Sequence, residues 1–174
     1  MNTANGKCCY SGRKSTMQKD WTSILEGNNT RKVFSRLYGK NEETIEKQIL
    51  RYKELINTFK SLYPEDKKEI QLFSTSGRTE VGGNHTDHNA GHVLAAAVHF
   101  DTIAAVTETG DNEITVYSEG YPDAFQVDLS VLDPIDNEAE TTAALIRGIA
   151  ARFKQLGHSI GGFHVYINSS VARA

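Results

Sequence analysis

The residues with the most chemistry in this chain lie between Ser76 and Val98. They read Ser-Gly-Arg-Thr-Glu-Val-Gly-Gly-Asn-His-Thr-Asp-His-Asn-Ala-Gly-His-Val-Leu-Ala-Ala-Ala-Val. Arg78, Asn84, His85 and Asp87 offer a cation, an amide, an imidazole and a carboxylate close together in sequence. Each donates or accepts directional hydrogen bonds, so the set suits a hydroxyl-rich ligand. Glycines 77, 82, 83 and 91 punctuate the stretch and permit close backbone approach. The segment Gly77 to Gly91 is expected to be a polar loop between two buried elements, which is where a scaffold usually carries its chemistry.

A metal site is a rival reading, since His85, Asp87, His88 and His92 are all potential ligands. It is the weaker one, because a glycine-rich loop does not hold its side chains on one face as a helix does. An isolated Asp or His in such a loop most often bonds its own backbone. For Arg78 the bland reading is a surface ion pair.

In this register the stretch resembles the galactokinase signature. Gly77, Arg78, Gly83, His85, Thr86, Asp87, Asn89 and Gly91 match it without a gap. The Gly-Gly-Asn-His-Thr-Asp-His wording resembles a bacterial subgroup. Asn84 stands where the family has glutamate, His88 where it has tyrosine, and Glu80 where it has asparagine. The resemblance, which runs more weakly from about Asp20 to Ser170, implies several things. Arg78 would sit beside the reacting anomeric hydroxyl of galactose, as the catalytic residue. Asn84, His85 and Asp87 would hold sugar hydroxyls, with Asn84 as a neutral amide. ATP and Mg²⁺ would be the cosubstrate and its metal. The glycine-serine phosphate loop of the family is not found after Asn168, nor is the downstream aspartate that acts as base. The expectation is therefore an N-terminal domain over residues 17–174, stopping before that loop and inactive as a kinase by itself. Two alternatives are a non-catalytic galactose-binding or regulatory module, and a related N-acetylgalactosamine kinase.

Composition sets the frame. The chain has 174 residues, enough for a real core in one domain. A net charge of −3 gives no basic footprint for nucleic acid or anionic membrane. The two cysteines, Cys8 and Cys9, are adjacent and cannot staple distant elements. No apolar run is long enough to span a bilayer, so a cytoplasmic protein is expected. Oligomeric state is not legible. Residues 1–16 are polar and aperiodic and are expected to be disordered or a non-native extension. Their Gly12-Arg-Lys-Ser-Thr lacks the phosphate-loop spacing.

The remaining elements follow from pattern. Residues 20–39 predict short helical pieces, one capped by Thr30 and ended by Gly39. Asn41 should cap a long helix with Ile45, Ile49, Tyr52, Ile56 and Phe59 along its buried stripe and Pro64 as its stop. Ile70 to Thr75 and Phe100 to Thr107 predict strands, while Val93 to Val98 is too alanine-rich to assign. After a turn at Thr109, Ile114 to Ser118 predicts a hairpin partner for the preceding strand. Phe125 to Leu129 predicts another strand. Asn137 and Glu140 predict a capping box for a helix burying Leu145, Ile146, Ile149, Phe153 and Leu156. Gly157 suits its C-terminal position, and Phe163 to Asn168 predicts a final strand left partly exposed, which favours aggregation or pairing with a partner edge. Helices, strands, a helix and a strand give an α+β fold with a mixed, mostly antiparallel sheet. The resemblance implies the ribosomal-protein-S5-like version of it.

Overall fold

The computed structural model describes residues 19–83 and 90–171. Residues 1–16 lie outside them. Two short helices, α1 (Trp21–Glu26) and α2 (Asn28–Leu37), lead into the long α3 (Glu42–Leu62). A five-stranded sheet comes next: β1 (Gln71–Gly82), β2 (Leu94–Glu108), β3 (Glu113–Ser118), β4 (Phe125–Asp128) and β5 (Phe163–Ser169). Helix α4 (Thr142–Gln155) joins β4 to β5. The strand order is β1-β2-β5-β3-β4, with only the β3–β5 pair parallel. This is the expected α+β, mostly antiparallel architecture.

Helix α3 forms as its sequence dictates. The Asn41 side chain accepts from the Thr44 N–H at 3.0 Å, and Glu42 and Glu43 lie in the first turn, where the helix dipole favours them. Its stripe from Ile45 to Phe59 is buried against α1, α2 and one face of the sheet, meeting Ile70, Ile103 and Ala105. Phe59 and Leu55 are almost wholly enclosed. Burying such a side chain stabilises the fold by about 1.5–3 kcal/mol. On the opposite face α4 covers Ile114, Val116, Val127 and Val165. Strand β2 serves both cores by alternation, with Ile103 and Ala105 toward α3 and Ala104 and Val106 toward the other side.

Five expectations need correction. Thr30 does not cap a helix: α2 begins at Asn28 after Gly27, and the Thr30 hydroxyl donates to the Ile24 carbonyl at 2.6 Å. Strand β3 is not paired with β2, because β5 lies between them. The turn at residues 109–112 wraps over Gly162, whose N–H donates to the Asp111 carbonyl at 2.8 Å. A Cβ there would run into Asp111, the Glu113 carbonyl and Thr109, so only glycine admits β5 at this point. The final strand is consequently central and not an open edge. The capping box is also absent. Residues Asp136–Glu138 form a 3₁₀ turn, Glu140 takes φ 63°, and Thr141 caps α4 by accepting from Ala144 N–H at 3.2 Å. Glu138 instead holds Arg147, with Oε2 and Oε1 accepting from Nε and Nη2 at 2.8 and 2.7 Å.

The α4 stripe is the fifth correction. Ile146 packs on the sheet, but Ala143, Ala150 and the buried Arg147 complete the contact face. Leu145 is 65% exposed and Ile149, Phe153 and Leu156 are more than half exposed. The helix carries two apolar faces, and the described residues cover only the one with the smaller side chains.

Candidate functional site

The first half of the glycine-rich stretch is strand, not loop. Strand β1 continues to Gly82, and β2 begins at Leu94. Thr79 and Val81 favour extended backbone, and pairing with Arg78 to Glu80 carries Ala95 to Ala97 against their weak strand preference. The last β2–β5 pair is Thr102↔Ser169. Beyond it, Arg78 to Gly82 pair only with Leu94 to Ala97. The result is a two-stranded arm projecting from the sheet, with the signature segment at its tip.

The arm leaves the sheet at an irregularity. Ser76 pairs with Asp101, but the next pair is Arg78 with Ala97. Gly77 thus stands opposite the three residues Val98 to Phe100, a bulge that bends the ladder and re-aims the two strands beyond it. Gly77 lies close against its surroundings. A Cβ there would come within 3.0 Å of the Phe100 carbonyl oxygen and of Val171 Cγ2.

At the tip, Gly83 takes φ 87°, and its Cα faces the backbone of His92 so closely that a Cβ would overlap the His92 carbonyl oxygen. Ala90 on the returning side takes φ 55°. The two chain segments therefore meet at a narrow neck, with residues 84–89 between them. Of the four sequence-predicted site residues, the structure places Arg78, which is exposed on the arm opposite Ala97. Asn84, His85 and Asp87 lie outside the described residues, as does His88. Among the described residues Arg78 makes no ion pair, so the bland reading of it finds no partner there. Of the possible metal ligands only His92 is described, and no three His, Cys, Asp or Glu side chains converge among the described residues.

One cluster at the root of the arm has no counterpart in the sequence reading. Asp101 is 4% exposed. Its Oδ2 accepts from the Tyr38 hydroxyl at 2.5 Å and the Ser74 hydroxyl at 2.9 Å, and its Oδ1 from Arg51 Nη1 at 2.5 Å. Arg51 also donates from Nε to Asn168 Oδ1 at 2.6 Å and from Nη2 to the Asn168 carbonyl at 3.2 Å. The Asp101 N–H donates to Ser170 Oγ at 3.0 Å. Burial pushes the Asp101 carboxyl upward, but the hydrogen bonds from Arg51, Tyr38 and Ser74 outweigh it, and the group is held below its ordinary value. Tyr38 is held neutral, because burial and its bonds to Asp101 and Tyr52 raise it well above its ordinary value.

Comparison with known proteins bears on this arm directly. Residues 57–108, from the end of α3 through β1 and β2, match the family model described as the galactokinase galactose-binding signature. The chain is 30% identical over 119 residues to a galactokinase of Bacillus subtilis, covering 68% of this chain and 30% of that protein. It is 31% identical over 106 residues to one of Lacticaseibacillus casei, covering 60% of this chain and 27% of the relative. The crystal structure of Lactococcus lactis galactokinase complexed with galactose superposes with a TM-score of 0.60 at 27% identity, over 71% of this chain and 32% of that one. The chain thus spans about 30% of the length of the curated relatives it matches. The region they share is a galactokinase N-terminal portion.

Proposed function

We propose that this chain, which carries the galactose-binding signature of galactokinases, supplies the sugar-recognition arm for ATP-dependent phosphorylation of D-galactose at its anomeric hydroxyl. The observation that carries this reading is that the signature match, residues 57–108, takes in both strands of the β1–β2 arm. In this reading Asp87 accepts from two neighbouring sugar hydroxyls, and His85 and Asn84 complete the hydrogen-bonding set. Arg78 brings a planar guanidinium to the same arm. Lying a few residues from the tip, it stabilises the negative charge that develops on the anomeric oxygen as its proton leaves.

ATP and Mg²⁺ are implied by the relatives and not by the described residues. The start of helix α4 is capped by Thr141 and preceded by Asp136 and Glu140, whose charges disfavour a phosphate there. ATP would supply the phosphoryl group, and the described residues do not fit it. We place the protein in the cytoplasm, in keeping with the absence of a membrane-crossing helix among the described residues.

The test is a calorimetric titration of D-galactose into the chain and its Asp87→Ala variant, with glucose as the comparison sugar. Removing the carboxylate leaves sugar hydroxyls unpaired, at a cost of about 1–3 kcal/mol. Galactose affinity should fall by roughly fivefold to a hundredfold while the far-ultraviolet circular dichroism is unchanged. Equal affinity in the two proteins refutes the assignment.

A further inference from the structure

The arm has few supports. Beyond Thr102 it loses β5, and none of Arg78 to Gly82 or Leu94 to Ala97 is buried. Its direction must be set where it leaves the body, at the pair Ser76↔Asp101. There Asp101 gathers hydrogen-bond partners from four elements or their ends. Tyr38 follows α2, Arg51 lies in α3, Ser74 is on β1, and Ser170 follows β5. The backbone is held as firmly: the Asp101 carbonyl accepts from the Ser170 N–H at 2.9 Å, from Ser170 Oγ at 3.0 Å and from Arg51 Nη2 at 3.3 Å. The residue immediately before it, Phe100, closes the bulge against Gly77.

We infer that Asp101, with Tyr38 and Arg51, is a positioning group for the sugar-binding arm. It clamps the last residue of β2 that pairs in register before the bulge, and so fixes the line along which Arg78 and the tip project. A buried carboxylate is costly to desolvate, and a hydrophobic residue would fill the volume at no such cost. What a carboxylate offers here is direction. Its oxygens accept from donors on three sides at once, and each donor belongs to a different element. A small rotation of β2 at this point would break several of those bonds together. Polar networks that are fully satisfied fix one arrangement in this way.

This inference rests on the sugar-binding reading for its consequence, but not for its mechanics. Amide hydrogen exchange on the whole chain separates the two. The variants are Tyr38→Phe, which removes one donor and keeps the ring, and Asp101→Asn, which keeps the shape and removes the charge. In both, amides of the arm at 78–82 and 94–97 should exchange at least about tenfold faster, while those of β3 and β5 keep their protection. Galactose affinity, measured in parallel by calorimetry, should drop several-fold. Ser74→Ala should do the same more weakly and serves if Asp101→Asn does not fold. Unchanged arm exchange overturns the inference. So does equal acceleration in the arm and in β3 and β5, which would make the cluster a general stabiliser. If the unmodified chain takes up no galactose, the sugar-binding reading fails while the exchange result still decides the positioning role.

Discussion

Replacing Gly83 by alanine probes the neck of the arm with a close control beside it. Gly83 has φ 87°, beyond the left-handed well that a residue with a Cβ can occupy at modest cost. Ala90, at φ 55°, lies inside that well. Holding a non-glycine residue in a sparsely populated region costs about 1–3 kcal/mol. The new Cβ would also overlap the His92 carbonyl oxygen and reach 3.0 Å from Val93 Cα, and both are backbone atoms that cannot rotate away. The neck must open to admit it. Since the arm is separate from both cores, the cost falls on the arm and leaves global stability nearly unchanged. At 1.4 kcal/mol per factor of ten, galactose affinity should fall about five- to 150-fold. Gly82→Ala is the control: its Cβ would meet nothing within 4 Å and its φ is not left-handed. That change should be neutral, or stabilise by about 0.4–1 kcal/mol through the unfolded chain. Galactose calorimetry and urea unfolding on both variants give the answer. Gly83→Ala binding galactose as the unmodified chain does, or Gly82→Ala losing as much, refutes the reasoning.

Two further outcomes come from the same structure. Leu145→Ser and Phe153→Ser, on the open face of α4, should each change unfolding free energy by less than about 0.5 kcal/mol, whereas Leu55→Ala, in a side chain 2% exposed, should cost about 2–5 kcal/mol. Urea midpoints check both, and a large loss at Leu145 would mean that α4 turns its other face to the sheet. The Asp101 carboxyl is held below 3.8 in the folded chain despite its burial, by Arg51, Tyr38 and Ser74. A depressed carboxyl contributes stability above its unfolded pKa and loses it as pH falls through the folded one. Stability should therefore decline below pH 3.8, and the decline should be shallower in Asp101→Asn. Parallel slopes in urea titrations would remove Asp101 from the acid response.

The sequence made local patterns legible and left distant ones hidden. Helix α3 was readable because its cap, its acidic first turn and its apolar stripe all agree within one segment. The α4 expectation failed although its stripe was equally regular. Periodicity shows that an apolar face exists, not which of two faces the sheet will take, and here Ala143, Ile146 and Ala150 fit where larger side chains would not. The hairpin expectation for β3 failed for a similar reason. Sequence neighbours usually pair, but Gly162 admits β5 between them, and the Gly161-Gly162 pair before a strand does not say which strands will flank it.

The same division runs through the site. Arg78, Asn84, His85 and Asp87 stand out because their types crowd into one short stretch. The arm that presents Arg78 does not, since alanines 95 to 97 lack strand character and gain it from the ladder alone. Asp101 is harder still. Its donors Tyr38, Arg51 and Ser74 lie 63, 50 and 27 residues away along the chain. A single aspartate after Phe100 has no local pattern to announce it. Groups that touch a ligand are selected for chemical type and can be read from a list of residues. Groups that aim them are selected for where several elements happen to meet, and that is a property of the fold.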